Sequence, residues 1–303
     1  MIVELKDTSA RDIDEALLKG RRFVGTASGM VLTLLIVTDD AHFEEVLHAA
    51  KESATAHPSR VIVVTFVDDD DDARLDASIE VGEGIPGDLV VLRLHGGLRA
   101  HGDSVCLPLL LPDSPTIVWW PNEAPDNLSA DPIGSLADRR ITDASGSADP
   151  QAALVRRAGA HADGDTDLAW TRLTRWRALL AAAMDQTQLP VTSARVVSAP
   201  DNAPATLLAA WLSERLGLHV ERLDGDMVGV NEVVLSTEEG DISVRRIDDI
   251  TAVYQVPGEP RRSVALRRRS LPDLLTEELR RTDADEIFEA ATQRVCRDSD
   301  GGC

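Results

Sequence analysis

The sequence predicts an α/β protein of two lobes, on three observations. Two β-branched runs flank an amphipathic helix near the start, the same order recurs after residue 190, and in each half short alternating runs follow. Each lobe is therefore expected to be a βαβ unit extended by antiparallel strands. A chain of 303 residues supports two cores at about 100–200 residues per domain. The division expected is residues 1–150 and residues 151–303, the second lobe opening with a long joining helix and ending in a flexible tail.

Thr8 or Ser9 with Asp12, ahead of Ile13, Ala16 and Leu17, predicts a capped helix that ends near Gly20. Residues 31–37 read as a strand. Asp39 or Asp40 then caps a helix bearing Phe43, Val46, Leu47 and Ala50 at helical spacing, Pro58 stops it, and residues 61–67 form a second strand. Both runs are almost continuously apolar, as parallel strands covered on two faces are. Residues 75–81 and 89–94 predict a hairpin, 107–111 a short helix and 116–120 one more buried strand. Residues 122–150 are rich in Pro, Asp, Ser and Gly around a short strand at 139–142. Residues 166–183 place Ala169, Leu173, Trp176, Leu180 and Ala183 on one stripe of a long helix. Strand 194–199, a helix capped by Asn202 and stopped by Gly217, and strand 219–223 make the second βαβ unit. Antiparallel strands at 233–236, 242–247, 251–256 and 263–268 follow. Ser270 with Asp273 opens one further helix, and Ile287, Ala291 and Val295 mark the last. A Leu-Pro-x-Leu-Leu segment recurs at 107–111 and 271–275, which is compatible with a duplicated module.

A formal net charge of -21 repels phosphate backbones and anionic lipid surfaces, so nucleic acid and membrane are poor partners. Glu4, Lys6 and Asp7 interrupt the start where an export signal needs an apolar stretch, and residues 31–37 are too short to span a bilayer, so a cytoplasmic location is expected. Cys106, Cys296 and Cys303 suit reduced thiols in that compartment, with pairing of Cys296 and Cys303 the one redox option.

No catalytic residue, cofactor site or metal site emerges. Gly82, Gly84 and Gly87 have the spacing of a dinucleotide loop, but a strand follows them instead of a helix, which assigns them to a turn. His95-Gly96-Gly97 lacks the nucleophile elbow that an esterase would add. His95, His101 and Cys106 match no compact zinc spacing, and Asp68 to Asp72 lack the spacing of a calcium loop. Arg261, Arg262, Arg267, Arg268 and Arg269 form a basic stretch that reads as a solvated strand edge before a dedicated anion site. Trp119 and Trp120 are adjacent in a strand and face opposite sides, and Trp170 and Trp176 do not share a helical face, so one of each pair is a candidate partner contact.

Three segments in order, His57-Pro58-Ser59-Arg60-Val61-Ile62, residues 109–121 (LLLPDSPTIVWWP) and residues 167–180 (DLAWTRLTRWRALL), resemble the glucose-6-phosphate dehydrogenase assembly protein family, OpcA. The resemblance runs from about residue 31 to residue 280. It implies a non-catalytic partner that assembles or activates glucose-6-phosphate dehydrogenase at the entry of the oxidative pentose phosphate pathway. It also makes His57, Arg60, Trp119, Trp120, Trp170 and Trp176 the interface candidates. Thioredoxin control, which the resemblance associates with cysteines, meets Ser59 in the His-Pro-x-Arg motif here. The competing expectation is an α/β enzyme that binds a phosphosugar or nucleotide, for which a nucleophile or base at a strand's carboxyl end would be the mark.

Overall fold

Apolar β-branched runs and capped helices alternate along the chain, and the computed structural model, which describes residues 1–24, 29–67, 72–82, 86–187, 189–281 and 283–299, arranges them around two mixed sheets. In chain order the elements are β1 (Ile2–Leu5), α1 (Ala10–Val24), β2 (Leu32–Thr38), α2 (Phe43–Ala56), β3 (Ser59–Phe66), β4 (Arg74–Val81), β5 (Gly87–His95), α3 (Gly102–Cys106), β6 (Thr116–Trp120) and β7 (Arg139–Thr142). Then come α4 (Pro150–Gly159), β8 (Asp165–Asp167), α5 (Leu168–Thr171), α6 (Thr174–Thr187), β9 (Val191–Ser198), α7 (Ala203–Leu216), β10 (Val220–Asp224), β11 (Val230–Thr237), β12 (Gly240–Arg246), β13 (Thr251–Gln255), β14 (Arg262–Ala265), α8 (Leu271–Glu278) and α9 (Glu286–Asp298).

The chain does not divide at a single cut near residue 150. One unit is Met1–Asp143 with Ala162–Thr166 and Leu271–Asp283; the other is Ala144–His161, Asp167–Ser270 and Ala284–Cys303. The Leu-Pro-x-Leu-Leu segment at 271–275 therefore lies in the first unit, outside the half whose order suggested it as a repeat.

The sheet of the first unit has the order β1-β4-β5-β3-β2-β6-β7-β8. Strands β5, β3, β2, β6 and β7 run parallel, and β1 and β4 are antiparallel additions. One face packs Leu35, Ile62, Val64, Val90, Leu92 and Trp120 with Ile13 and Leu17 of α1. Side chains alternate along a strand, so Leu34, Ile36, Val63, Leu89 and Trp119 point to the opposite face, and they too are buried. Helix α2 belongs to that side, where its Phe43 and Leu47 share a groove with Leu89 and Val91, and α8 packs against α2. Arg139 holds α8 in place: its Nη2 donates to Glu278 Oε1 at 2.8 Å and its Nη1 to the Arg281 carbonyl. Thr166 Oγ1 donates to the same Glu278 oxygen at 3.1 Å. Ser9 and Asp12 form the reciprocal cap expected for α1, with Ser9 Oγ donating to Asp12 Oδ2 at 2.6 Å and Asp12 N to Ser9 Oγ at 3.2 Å. The helix then runs past Gly20, to Val24.

The sheet of the second unit has the order β10-β9-β11-β12-β13-β14, with β9 and β10 parallel across α7 and the rest antiparallel. Here the antiparallel series joins the first strand of the βαβ unit, through β11 on β9. In the first unit it joins the second strand, through β5 on β3. The shared order of elements therefore hides two topologies. Helix α7 is capped by Asn202, whose side chain accepts from Ala205 N at 2.9 Å, and ends at Gly217, whose φ of 67° suits glycine. Its core packs Val196, Val233, Leu235, Ile242 and Val244 against Leu207, Leu208, Trp176 and Phe288.

The single long helix expected over 166–183 is broken into α5 and α6. Thr166 belongs to β8, and the cap is Asp167, which accepts from Ala169 N at 2.8 Å. The break follows from the Thr171 carbonyl, which accepts from Thr174 Oγ1 at 2.9 Å and from Arg269 Nη1 at 3.2 Å, so side chains take an acceptor that a continuous helix would use. The tail is ordered further than expected, since α9 continues to Asp298. Residues Gly84, Asp68 to Asp71 and Cys303 lie outside the described residues, and with them parts of the glycine spacing, the acidic run and the Cys296 pairing. Among the described residues, no helix is long and apolar enough to cross a membrane.

Local geometry makes two of these positions testable. Gly87 has a φ of 152°, and a Cβ there would lie 2.1 Å from the Ser59 carbonyl oxygen, so Gly87→Ala should lower stability to urea by about 2–4 kcal/mol. Asp76 is buried among Lys6, Arg74 and His95 and accepts from Asp7 N at 3.0 Å. Burial alone would raise its pKa, but the Asp7 amide and Lys6 outweigh it and hold the carboxyl below its ordinary value of 3.8. A depressed folded pKa contributes stability above the unfolded value that is lost as pH falls through the folded one. Asp76→Asn should therefore flatten the loss of stability in urea titrations below pH 3.8.

Candidate functional site

In a parallel sheet a ligand is expected beyond the carboxyl ends of the strands, where the order reverses. In the first unit that point lies between β2 and β6, because β3 extends the sheet on one side of β2 and β6 on the other. A cleft of about 340 Å³ opens there, lined by Thr38, Asp39, Phe66, Trp120, Asn122 and Glu123 among others. Asp131 adds a third carboxylate, and among the described residues no Lys or Arg lines it. Asp39 Oδ1 accepts from His42 N at 2.9 Å and pairs with His42 Nδ1 at 2.7 Å. Burial pushes the Asp39 pKa up, yet the His42 hydrogen bonds prevail and hold it below its ordinary value. The cleft therefore holds an ionised Asp39 at neutral pH. Its lining suits neither a pyrophosphate nor a phosphosugar, which need amide donors or guanidinium groups. Among the described residues, no group of three or more His, Cys, Asp or Glu is arranged to hold a metal ion. Cys106 is buried, and burial pushes its thiol up to about 12, so it is a packing residue and not a nucleophile.

The His57-Pro58-Ser59-Arg60 segment joins α2 to β3. His57 Nε2 lies 3.2 Å from the Thr276 carbonyl of α8. Arg60 is 4% exposed; its Nε donates to Asp88 Oδ2 at 3.2 Å and its Nη1 to the Leu109 carbonyl. Arg21 from α1 donates to the same carboxylate, through Nε at 3.1 Å and also through Nη2. Burial and the nearby Arg21 charge lower the Arg60 pKa, and Asp88 opposes them. Two of the three segments that carry the family resemblance thus meet physically, at Arg60 and Leu109, around an ion triad that sequence reasoning missed. Its signal was weak, being a lone Asp88 beside a glycine.

The segment that begins at Asp167 also closes on itself. Asp167 accepts from Ala144 N at 3.0 Å and caps α5. Trp170 is fully buried, its Nε1 donates to Asp285 Oδ2 at 2.9 Å, and the Arg177 guanidinium lies 3.6 Å from its ring centroid. Trp176 is buried in the same core beneath the Arg246 guanidinium, 5.6 Å from the ring centroid.

The contact expectation for Trp119, Trp120, Trp170 and Trp176 rested on opposite facing in the strand and helix, and all four side chains are buried within this chain. Trp119 and Trp120 do face opposite sides of β6, but both sides are covered, and they are 0% and 3% exposed. Trp120→Ala should accordingly lower stability by about 3–5 kcal/mol in chemical denaturation. Weakened partner binding in that variant would first report the lost packing.

Two family models match the chain, both described for the glucose-6-phosphate dehydrogenase subunit: its N-terminal domain matches residues 50–159, and its C-terminal domain matches residues 163–292. A search of curated proteins returned no match. With both domains present in order from residue 50 to residue 292, the chain belongs to the OpcA family of glucose-6-phosphate dehydrogenase assembly proteins.

Proposed function

We propose that this protein is a non-catalytic partner that binds glucose-6-phosphate dehydrogenase in the cytoplasm and favours an active oligomer or conformation of it, at the NADP-linked entry of the oxidative pentose phosphate pathway. The family match over both domains carries the reading. The chemistry of the strand-end cleft supports it: the place where such a sheet would hold a nucleotide or phosphosugar presents Asp39, Glu123 and Asp131. An activator of this kind works by binding one state of its partner more tightly than the others, and coupling of about 1–3 kcal/mol changes the balance about 5- to 150-fold.

His57, Arg60 and the four tryptophans then act on the partner indirectly. Arg60 and His57 fix the α2–β3 corner, Trp119 and Trp120 fill the two sides of β6, and Trp170 and Trp176 set the start of α5 and α6. Surfaces displayed by these elements make the contact.

The test is dehydrogenase turnover and particle mass, measured with and without the purified chain at matched concentrations. Higher turnover together with a heavier particle is expected. Unchanged turnover and mass would remove the reading.

A further inference from the structure

The second unit contains a cavity whose chemistry is the reverse of the acidic cleft. About 160 Å³ in volume, it is lined by Arg172, Arg175, Arg246, Arg267, Arg268 and Arg269, and among the described residues no acidic side chain shares the lining. Residues from five parts of the chain converge here: the break between α5 and α6, the start of α7, the start of β11, the end of β12 and the segment after β14. In a chain of net charge -21, such a cluster does not arise from average composition. Arg246 is its buried member, and the nearby Asp248 and Asp249 offset part of the repulsion from Arg268.

Arg246 leaves part of its donor capacity unused. A guanidinium carries five N–H donors. Arg246 is 5% exposed; its Nη1 donates to the Leu266 carbonyl at 2.6 Å and the Asp248 carbonyl at 3.3 Å, while its buried Nε has no hydrogen-bond partner. Burial, followed by the nearby Arg268 charge, lowers the pKa of Arg246 from its ordinary value. Arg268 pairs with Asp249 at 2.7 Å and also donates to the Val228 carbonyl. Gly229 makes that approach possible, since a Cβ at its position would lie 2.8 Å from Arg268 Nη1. Arg175 and Arg267 are exposed at the rim. A buried guanidinium short of partners beside further guanidinium groups is an arrangement that an anion relieves.

We propose that this arginine-lined cavity is a binding site for a small phosphate monoester. A carboxylate uses one guanidinium fork, whereas a phosphate dianion has three terminal oxygens and accepts from several. The volume lies below the roughly 300–1,000 Å³ of pockets for larger ligands, which fits a phosphoryl group with a small body and excludes a dinucleotide. Leu173, Trp176 and Leu266 supply an apolar wall for the carbon skeleton. The site does not depend on binding to the dehydrogenase, because every lining residue belongs to this chain.

Isothermal titration of the purified full chain at low salt with a hexose monophosphate, inorganic phosphate and the unphosphorylated hexose tests it. Saturable binding of the monophosphate is expected, with weaker binding of inorganic phosphate and none of the neutral sugar. The double variant Arg175→Gln with Arg267→Gln, at the exposed rim, should lose at least about tenfold in affinity with an unchanged melting temperature. Arg261→Gln with Arg262→Gln, on exposed residues outside the lining, should bind as the parent does. Absence of binding by both phosphate ligands at millimolar concentration overturns the site. So do equal losses in the two double variants, or capture of a polyglutamate peptide by a chain that ignores phosphate.

Discussion

One buried carboxylate organises the first unit. Asp88 opens β5 and is 2% exposed, and it receives guanidinium groups from α1 and β3 at once. Removing a carboxylate from water costs several kcal/mol, and only close counter-charges with well-formed hydrogen bonds offset that. The two arginines meet the condition, and Arg60 extends the network to the backbone at Leu109. Helix α1, strands β3 and β5 and the turn after α3 are therefore tied together by one ion network, in addition to the β3–β5 ladder and the packing of Ile13 and Leu17. The neighbouring Gly87 belongs to the same arrangement, since only a residue without Cβ lets the β5 backbone start against Ser59. Family resemblance concentrated in His-Pro-x-Arg and Leu-Leu-Leu-Pro thus reflects the scaffold more directly than it reflects any contact made with another molecule.

Elements governed by local chemistry were legible in the sequence. The Ser9–Asp12 cap, the Asn202 cap, the Gly217 stop and the apolar runs of β2 and β3 all lie where residue type and period place them. Elements governed by distant partners were not. Strand β1 is four residues long and exists because β4 offers an edge to pair with. The break between α5 and α6 depends on Arg269, 98 positions away from the carbonyl it captures. Helix α8 belongs to the first unit because Arg139 and Thr166 hold Glu278, a choice that no periodicity within 271–278 encodes. The adjacent tryptophans show the same limit. Their opposite orientation is a property of the strand and could be read directly, but whether each side is covered depends on tertiary packing, such as that of Leu128 and Ile133 in the core that holds Trp120.

The candidate sites separate along the same line. The character of the strand-end cleft comes from Asp39 after β2 and from Glu123 and Asp131 on the connection from β6 to β7, and these acquire meaning only together. The basic stretch 261–269 was visible as composition and divides in three dimensions. Arg261 and Arg262 remain on the surface with Gln255 and Glu259, whereas Arg267, Arg268 and Arg269 turn to the cavity that Arg172, Arg175 and Arg246 complete.

That division bears on the proposed role of the protein. Its doubly covered sheet has an acidic mouth where related architectures gather phosphate, and such a mouth turns anionic metabolites away at the ranges over which charge acts in salt, about 8 Å. Six arginines gather instead at a small cavity of the other unit, where burial of Arg246 places one guanidinium in low dielectric. A polypeptide built in this way competes poorly for bulky phosphorylated substrates or dinucleotides at its sheet, which is what the proposed role beside a dehydrogenase requires.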